Sequence, residues 1–174
     1  MLRIFKNIGL ILIFFIAFGC GEDLTQFNIN SNLSEEIAVN ISEEEQTIEY
    51  SASIDATEDS DILQNLDHIK SYQIEQISFS ITDYSGPDTA NLTGTLSVGN
   101  ANQSFSADIQ SLNIKLFADA DYTIALDADQ LVALESILLA SNKLDISFTG
   151  SVSEVPVSFV LTVTAKTKVT VDAA

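Results

Sequence analysis

Residues 157–171 read VSFVLTVTAKTKVTV. Val157, Phe159, Leu161, Val163, Ala165, Thr167, Val169 and Val171 hold one phase of a two-residue period. Ser158, Thr162, Thr164, Lys166, Lys168 and Thr170 hold the other, where Val160 is the sole apolar residue. Side chains of a strand point alternately to opposite faces, so this stretch predicts a long strand with one buried and one solvated face. Glu154-Val155-Pro156 supplies a turn before it, which makes Ser147 to Ser153 its expected neighbour.

The same alternation runs back through the chain. Leu144, Ile146 and Phe148 lead to Gly150. Leu92, Gly94, Leu96 and Val98 run out to Gly99-Asn100, and Phe105, Ala107 and Ile109 run back, which is a hairpin pattern. Leu112, Ile114 and Leu116 alternate in a shifted phase, and Tyr122, Ile124 and Leu126 form another short set. Tyr72 and Ile74 are out of phase with Ile77, Phe79 and Ile81. A slip of one residue turns an apolar set to the other face, so a bulge near Glu75-Gln76, or a strand crossing between sheets, is expected. Towards the N-terminus, Phe27 and Ile29, then Ile37, Val39 and Ile41, then Ile48, Tyr50, Ala52 and Ile54 form three more sets. Asn30-Ser31-Asn32 and Ser42 to Glu45 are read as the turns between them.

Two segments change period. In Asp59 to Lys70, Ile62, Leu63, Leu66 and Ile69 fall at helical spacing, with Asp59 or Ser60 as cap and Lys70 suited to the C-terminal end. In Asp129 to Asn142, Leu131, Leu134, Ile137, Leu138 and Ser141 share one side, Asp127 or Asp129 can cap, and Asn142 can end the helix. Nine or ten short strands with two short connecting helices predict an all-β fold, an antiparallel β-sandwich of about 8–10 strands. A small closed β-barrel is the alternative. An outer-membrane barrel is disfavoured, since its lipid-facing bands need aromatic girdles and the chain has no Trp.

Residues 1–23 have a different character. Arg3 and Lys6 precede an almost unbroken apolar run from Ile8 to Phe18, which ends at Gly19-Cys20. A positive start, a short apolar stretch and small residues at a cut site make a secretory signal, and the run is shorter than the about 20 residues a membrane span needs. Ile16-Ala17-Phe18-Gly19-Cys20 resembles the lipobox of bacterial lipoproteins. That resemblance implies a diacylglycerol on the sulfur of Cys20, the only cysteine, and cleavage that leaves Cys20 as the new N-terminus. An ordinary secretory cut after Ala17-Phe18-Gly19 is the competing reading, and it would leave a lone thiol on an exported chain. The lipoprotein reading divides the chain into a signal peptide (1–19), a lipidated N-terminus and tether (20–23) and one β-sandwich domain (24–174). Gly21-Glu22-Asp23 also resembles the acidic surface-export signal of some outer-membrane lipoproteins. The expected location is therefore the cell envelope, at the outer membrane, with the membrane as a partner through lipid.

Charge narrows the partners. The formal net charge is −18, and thirteen acids with no Lys or Arg separate Lys6 from Lys70. Loss of Arg3 and Lys6 with the signal would bring the mature chain to about −20. Nucleic acid is not expected, because phosphate backbones are bound by clustered Lys and Arg. Docking on anionic lipid through charge is disfavoured for the same reason.

Chemistry-bearing constellations are sparse. His68, the only histidine, lies off the helical apolar stripe, and no G-x-S-x-G or S-x-x-K stretch accompanies it. One His and an acylated Cys20 leave zinc no ligand set. Asp119-Ala-Asp121 and Asp127-Ala-Asp129 offer hard oxygens that suit calcium. The EF-hand positions, however, hold Thr123, Ile124 and Gln130, and Asp127 or Asp129 has a simpler role at a helix start. Asp88-Thr89-Ala90 resembles a short acceptor motif for bacterial O-glycosylation, which would modify Thr89. No cofactor is expected. Two functions stay open: a non-enzymatic binding or structural module for protein, glycan or an apolar ligand, and a carboxylate-based hydrolase of the cell envelope. An apolar cavity between the sheets would favour carriage of an apolar ligand, and two buried convergent carboxylates would favour the hydrolase.

Overall fold

The computed structural model describes residues 26–42 and 47–173. Eight strands form two antiparallel four-stranded sheets. They are β1 (Gln26–Ile41), β2 (Thr47–Asp55), β3 (Ile69–Ser85), β4 (Asn91–Gly99), β5 (Ser104–Asn113), β6 (Asp121–Thr123), β7 (Lys143–Val152) and β8 (Val157–Asp172). Three helices connect them: α1 (Ser60–Gln64), α2 (Ile114–Phe117) and α3 (Ala128–Ser141). One sheet has the order β1-β8-β3-β6 and the other β2-β7-β4-β5. This is the eight-stranded order of a jelly roll, a sandwich rather than a barrel, because the two sheets do not close on each other.

The expected phase of β8 holds over its whole length: Val157, Phe159, Leu161, Val163, Ala165, Val169 and Val171 are buried. They face Phe148, Leu96, Leu144 and Ile54 of the other sheet in one continuous core. Gly94 and Gly150 sit opposite each other on that inner face. A Cβ on either would come within 2.8 Å of the Phe148 ring, so both positions are bare to admit it.

β3 keeps both of its apolar sets inward by a register shift between Ile74 and Gln76, the expected bulge, with Glu75 as the extra residue. The β4–β5 hairpin forms as its pattern implied. α3 begins with a capping box, in which the Asp127 side chain accepts from Gln130 N–H and the Gln130 side chain accepts from Asp127 N–H. It ends at Asn142 in the left-handed region. α3 packs on β3 and β7, and its Glu135 carboxylate accepts the Ile74 N–H at 2.9 Å beside the bulge.

Five local expectations are corrected. No turn interrupts Asn30-Ser31-Asn32, and β1 pairs with β8 without a break from Gln26 to Ile41. Ser31 takes an inward slot, so the apolar alternation lapses while the strand continues. Its Oγ donates to the Asp59 carboxylate, and its carbonyl accepts from Thr167 Oγ1 at 3.1 Å. The helix expected over 59–70 is only α1 followed by a single 3-10 turn at Leu66–His68, because Asn65 ends it and Lys70 already lies in β3. The alternation of Leu112, Ile114 and Leu116 does not continue as a strand. Asn113 accepts the Leu116 N–H and caps the short α2, leaving Leu116 80% exposed. The strand expected through Leu126 stops at Thr123. Finally, β7 and β8 belong to opposite sheets, so the segment between them crosses the sandwich. Both edges of β7 are already taken, by β2 and β4.

Candidate functional site

The outer face of the β2-β7-β4-β5 sheet carries the residues that alternate with the core. Register aligns them in rows across four strands. Ser51 lies opposite Ser147, Ser147 opposite Ser97, and Ser97 opposite Ser106. The next row towards one end is Ser53, Asp145, Gly99 and Ser104, and the row on the other side is Glu49, Thr149, Thr95 and Asp108. Neighbouring strands are about 4.8 Å apart, so four hydroxyls stand in line over about 15 Å. Some bond sideways: Ser97 and Ser106 Oγ lie 2.7 Å apart, and Thr95 Oγ1 donates to Asp108 at 2.9 Å.

A shallow groove of about 510 Å³ lies over this face, floored by Ser51, Ser53, Ser97, Ser147 and Asp145 and walled by the Asn100–Ser104 turn. Gly99 has φ +158°, and a Cβ there would meet Gln103 O at 2.2 Å, so only glycine lets the turn fold back at the groove's end. The Asn100 side chain pins the turn by accepting from Asn102 and Gln103 N–H, each at 2.9 Å. Ser53 Oγ, at the margin, is buried and has no hydrogen-bond partner among the described residues. Hydroxyls that both donate and accept, beside one carboxylate, are able to exchange hydrogen bonds with hydroxyl-bearing molecules.

A smaller recess of about 350 Å³ lies on the outer face of the other sheet, among Asn30, Asn32, Glu75 and Lys166. The bulge sets Glu75 against Lys166 at 2.9 Å, so this recess is floored by an ion pair.

The acids with displaced titration lie at the end of the sandwich where β1 begins. Asp55 is held at about pKa 2 by the hydrogen bond from Lys143, and then by those from Thr57. Its ion pair with Lys143 spans 2.8 Å. The hydrogen bond from Ser31 lowers Asp59, which caps α1. Burial pushes Tyr72 up to about 12, helped by the charges of Asp55 and Asp59. Tyr72 donates to Asn142 at 3.2 Å. These groups tie the 55–68 segment and the end of α3 over the core. A general acid or base needs a pKa near the working pH, and these shifts run away from it.

The residues expected from sequence are dispersed. Cys20 lies outside the described residues. Asp119, Asp121, Asp127 and Asp129 are all exposed. Asp127 is occupied as the α3 cap, Asp129 lies in that helix's first turn, and Asp119 adopts a left-handed turn with φ 64°. Among the described residues, no three His, Cys, Asp or Glu side chains gather closely enough to hold one metal ion. Thr89 is exposed in the β3–β4 loop beside Asp88, which pairs with Lys115 at 2.6 Å. His68 is exposed at the end of its 3-10 turn. Sequence reading missed the serine row. Its members were each visible as outward residues, but their alignment depends on inter-strand register.

No protein-family model matches the chain, and no curated protein matches it. Solved structures share its general course at low scores. That of Desmodium yellow mottle tymovirus is 10% identical with a TM-score of 0.40, covering 84% of each chain. That of turnip yellow mosaic virus is 13% identical with a TM-score of 0.39, covering 86% of this chain and 95% of that one. The infectious bursal disease virus VP2 subviral particle gives 11% and 0.32, covering 86% and 37%. These likenesses carry no argument about function.

Proposed function

We propose that this chain is an exported envelope lipoprotein, anchored through lipid on Cys20, whose domain binds a ligand without transforming it. The ligand class is glycan, and the contact surface is the hydroxyl-lined outer face of the β2-β7-β4-β5 sheet. The observation that carries the binding reading is the Ser51–Ser147–Ser97 row beside Asp145 in a 510 Å³ groove, continued outside it by Ser106. The groove's lining is mixed, with Ala52 and Ala101 among the serines, and its serine hydroxyls and the Asp145 carboxylate are the directional contacts that favour a hydroxyl-bearing ligand.

The anchor is supported by the lipobox-like run to Cys20 and by the cysteine count. Two or more acyl chains give stable attachment where one gives only reversible binding. The full chain, expressed in a bacterium fed an alkyne fatty acid, should incorporate label that Cys20→Ala abolishes. The detergent-solubilised protein should then be retained on a subset of immobilised neutral or amino-sugar polysaccharides. Label persisting on Cys20→Ala sinks the anchor, and retention on none of the polysaccharides sinks the glycan reading.

A further inference from the structure

The described strands begin six residues after Cys20, at Gln26, so the point where the chain enters the fold also fixes how the domain would stand on its anchor. An extended chain covers at most about 3.6 Å per residue, which holds Gln26 within about 20 Å of an acylated Cys20. That entry point lies at one end of the sandwich: Gln26 pairs with Asp172, and Val171 with Ile69. The same end carries Asp55 opposite Lys143, α1 after it, and the close of α3, where Ala56 N–H donates to the Asn142 carbonyl at 2.8 Å. The opposite end carries Ile41 with Val157, Ser85 with Ser158, and the Thr89 loop.

Among the described residues, three of the six large apolar side chains that stand exposed belong to the entry end: Phe27 at 43%, Leu63 on α1 at 54% and Leu139 in the last turn of α3 at 45%. The reason for the first is geometric. β1 and β8 are each 16 residues long, whereas β2, β4, β5 and β7 have 9 or 10, so the first residues of β1 overhang the facing sheet. Val132 lies further back on α3, and Leu116 and Phe117 belong to α2, which follows β5 at the other end.

From the short tether and the shared end we infer that this end, presenting Phe27, Leu63 and Leu139, rests on the bilayer that holds the chain's own lipid. The inference depends on the anchor proposed above. The surface it meets is uncharged in character, because Glu58, Asp61 and Asp67 flank Leu63 and would be repelled by anionic headgroups. The Asn100–Ser104 wall of the groove stands at this same end, next to the Ser53–Asp145–Gly99 row, and the groove extends from there along the outer sheet face.

The test uses the full lipidated chain in phosphatidylcholine vesicles. Acylation consumes the Cys20 thiol, so Leu63→Cys, Leu139→Cys and Thr89→Cys each give one site for a fluorophore. A lipid carrying a nitroxide at its headgroup should quench the labels at 63 and 139 at least about threefold more than the label at 89, as expected for side chains at the interface. Equal quenching at the three positions, in protein that floats with the vesicles, overturns the orientation and leaves the anchor standing. Protein that does not float overturns the anchor and the orientation together.

Discussion

Asp55 shows how a single side chain sets the response of the fold to acid. Its folded pKa of about 2 lies below the ordinary 3.8, because Lys143 and Thr57 hydrogen-bond its charged form. A depressed carboxylate pKa adds stability that is fully present above the ordinary value and is lost as pH falls through the folded one. Asp55 therefore contributes down to about pH 4, and its contribution drains away between about pH 4 and 2. With the solvent-facing partner discounted, the effect is on the order of 1–2 kcal/mol. Denaturant unfolding measured across that range should show a steeper loss in the wild type than in Lys143→Met. Parallel curves would mean that the ion pair adds nothing. At this scale the sequence was legible where chemistry is local: it offered Asp127 or Asp129 as the cap of α3 and Asn142 as its end, and Asp127 and Asn142 hold those places. Ser31 was not legible, because its partners, Asp59 and Thr167, are 28 and 136 residues away.

Among the elements, β3 depends most on a single residue. Tyr72 and Ile74 on one side of Glu75, and Ile77, Phe79 and Ile81 on the other, are all buried only because Glu75 bulges. Deletion of Glu75 would turn one of the two sets outward. Exposing even two such side chains costs about 3–6 kcal/mol, a large share of an ordinary domain's 5–15. The deletion should leave a chain that is unfolded or much destabilised in thermal melts, while Gln76→Ala should melt within a few degrees of wild type. A deletion that melts like the wild type would mean that the register of β3 is wrong. Long uninterrupted alternation, as in β8, and a capped helical stripe, as in α3, could be read directly from the sequence. Short elements could not. α2 takes its form from the Asn113 cap, which turns an alternating set into a helical turn. β6, three residues long, is held to β3 with the help of the Tyr122 ring, stacked on Phe79 at 5.2 Å and edge-on to Phe117 at 5.4 Å.

For the whole molecule, alternation specified two-faced strands and so a sandwich, but it did not specify which strands are neighbours. Glu154-Val155-Pro156 looked like a turn between neighbouring strands and lies in a crossing between sheets. Strand order is decided by which edges are free, and no local pattern encodes that. The same limit hid the serine row, which exists only once β2, β7, β4 and β5 lie side by side in register. The two outer faces differ: one sheet carries a hydroxyl-floored groove holding the Asp145 carboxylate, and the other a recess over the Glu75–Lys166 ion pair. The central claim is that the first of these is the ligand surface. Its most direct test is affinity electrophoresis through a polysaccharide that retains the wild type, comparing Ser147→Gln with Asp145→Asn in the groove and Thr164→Gln on the opposite sheet. The groove variants should lose retention about tenfold, the effect of removing about 1.4 kcal/mol of contact, and Thr164→Gln should run as the wild type. Unchanged retention in both groove variants, or equal loss in Thr164→Gln, would contradict the account.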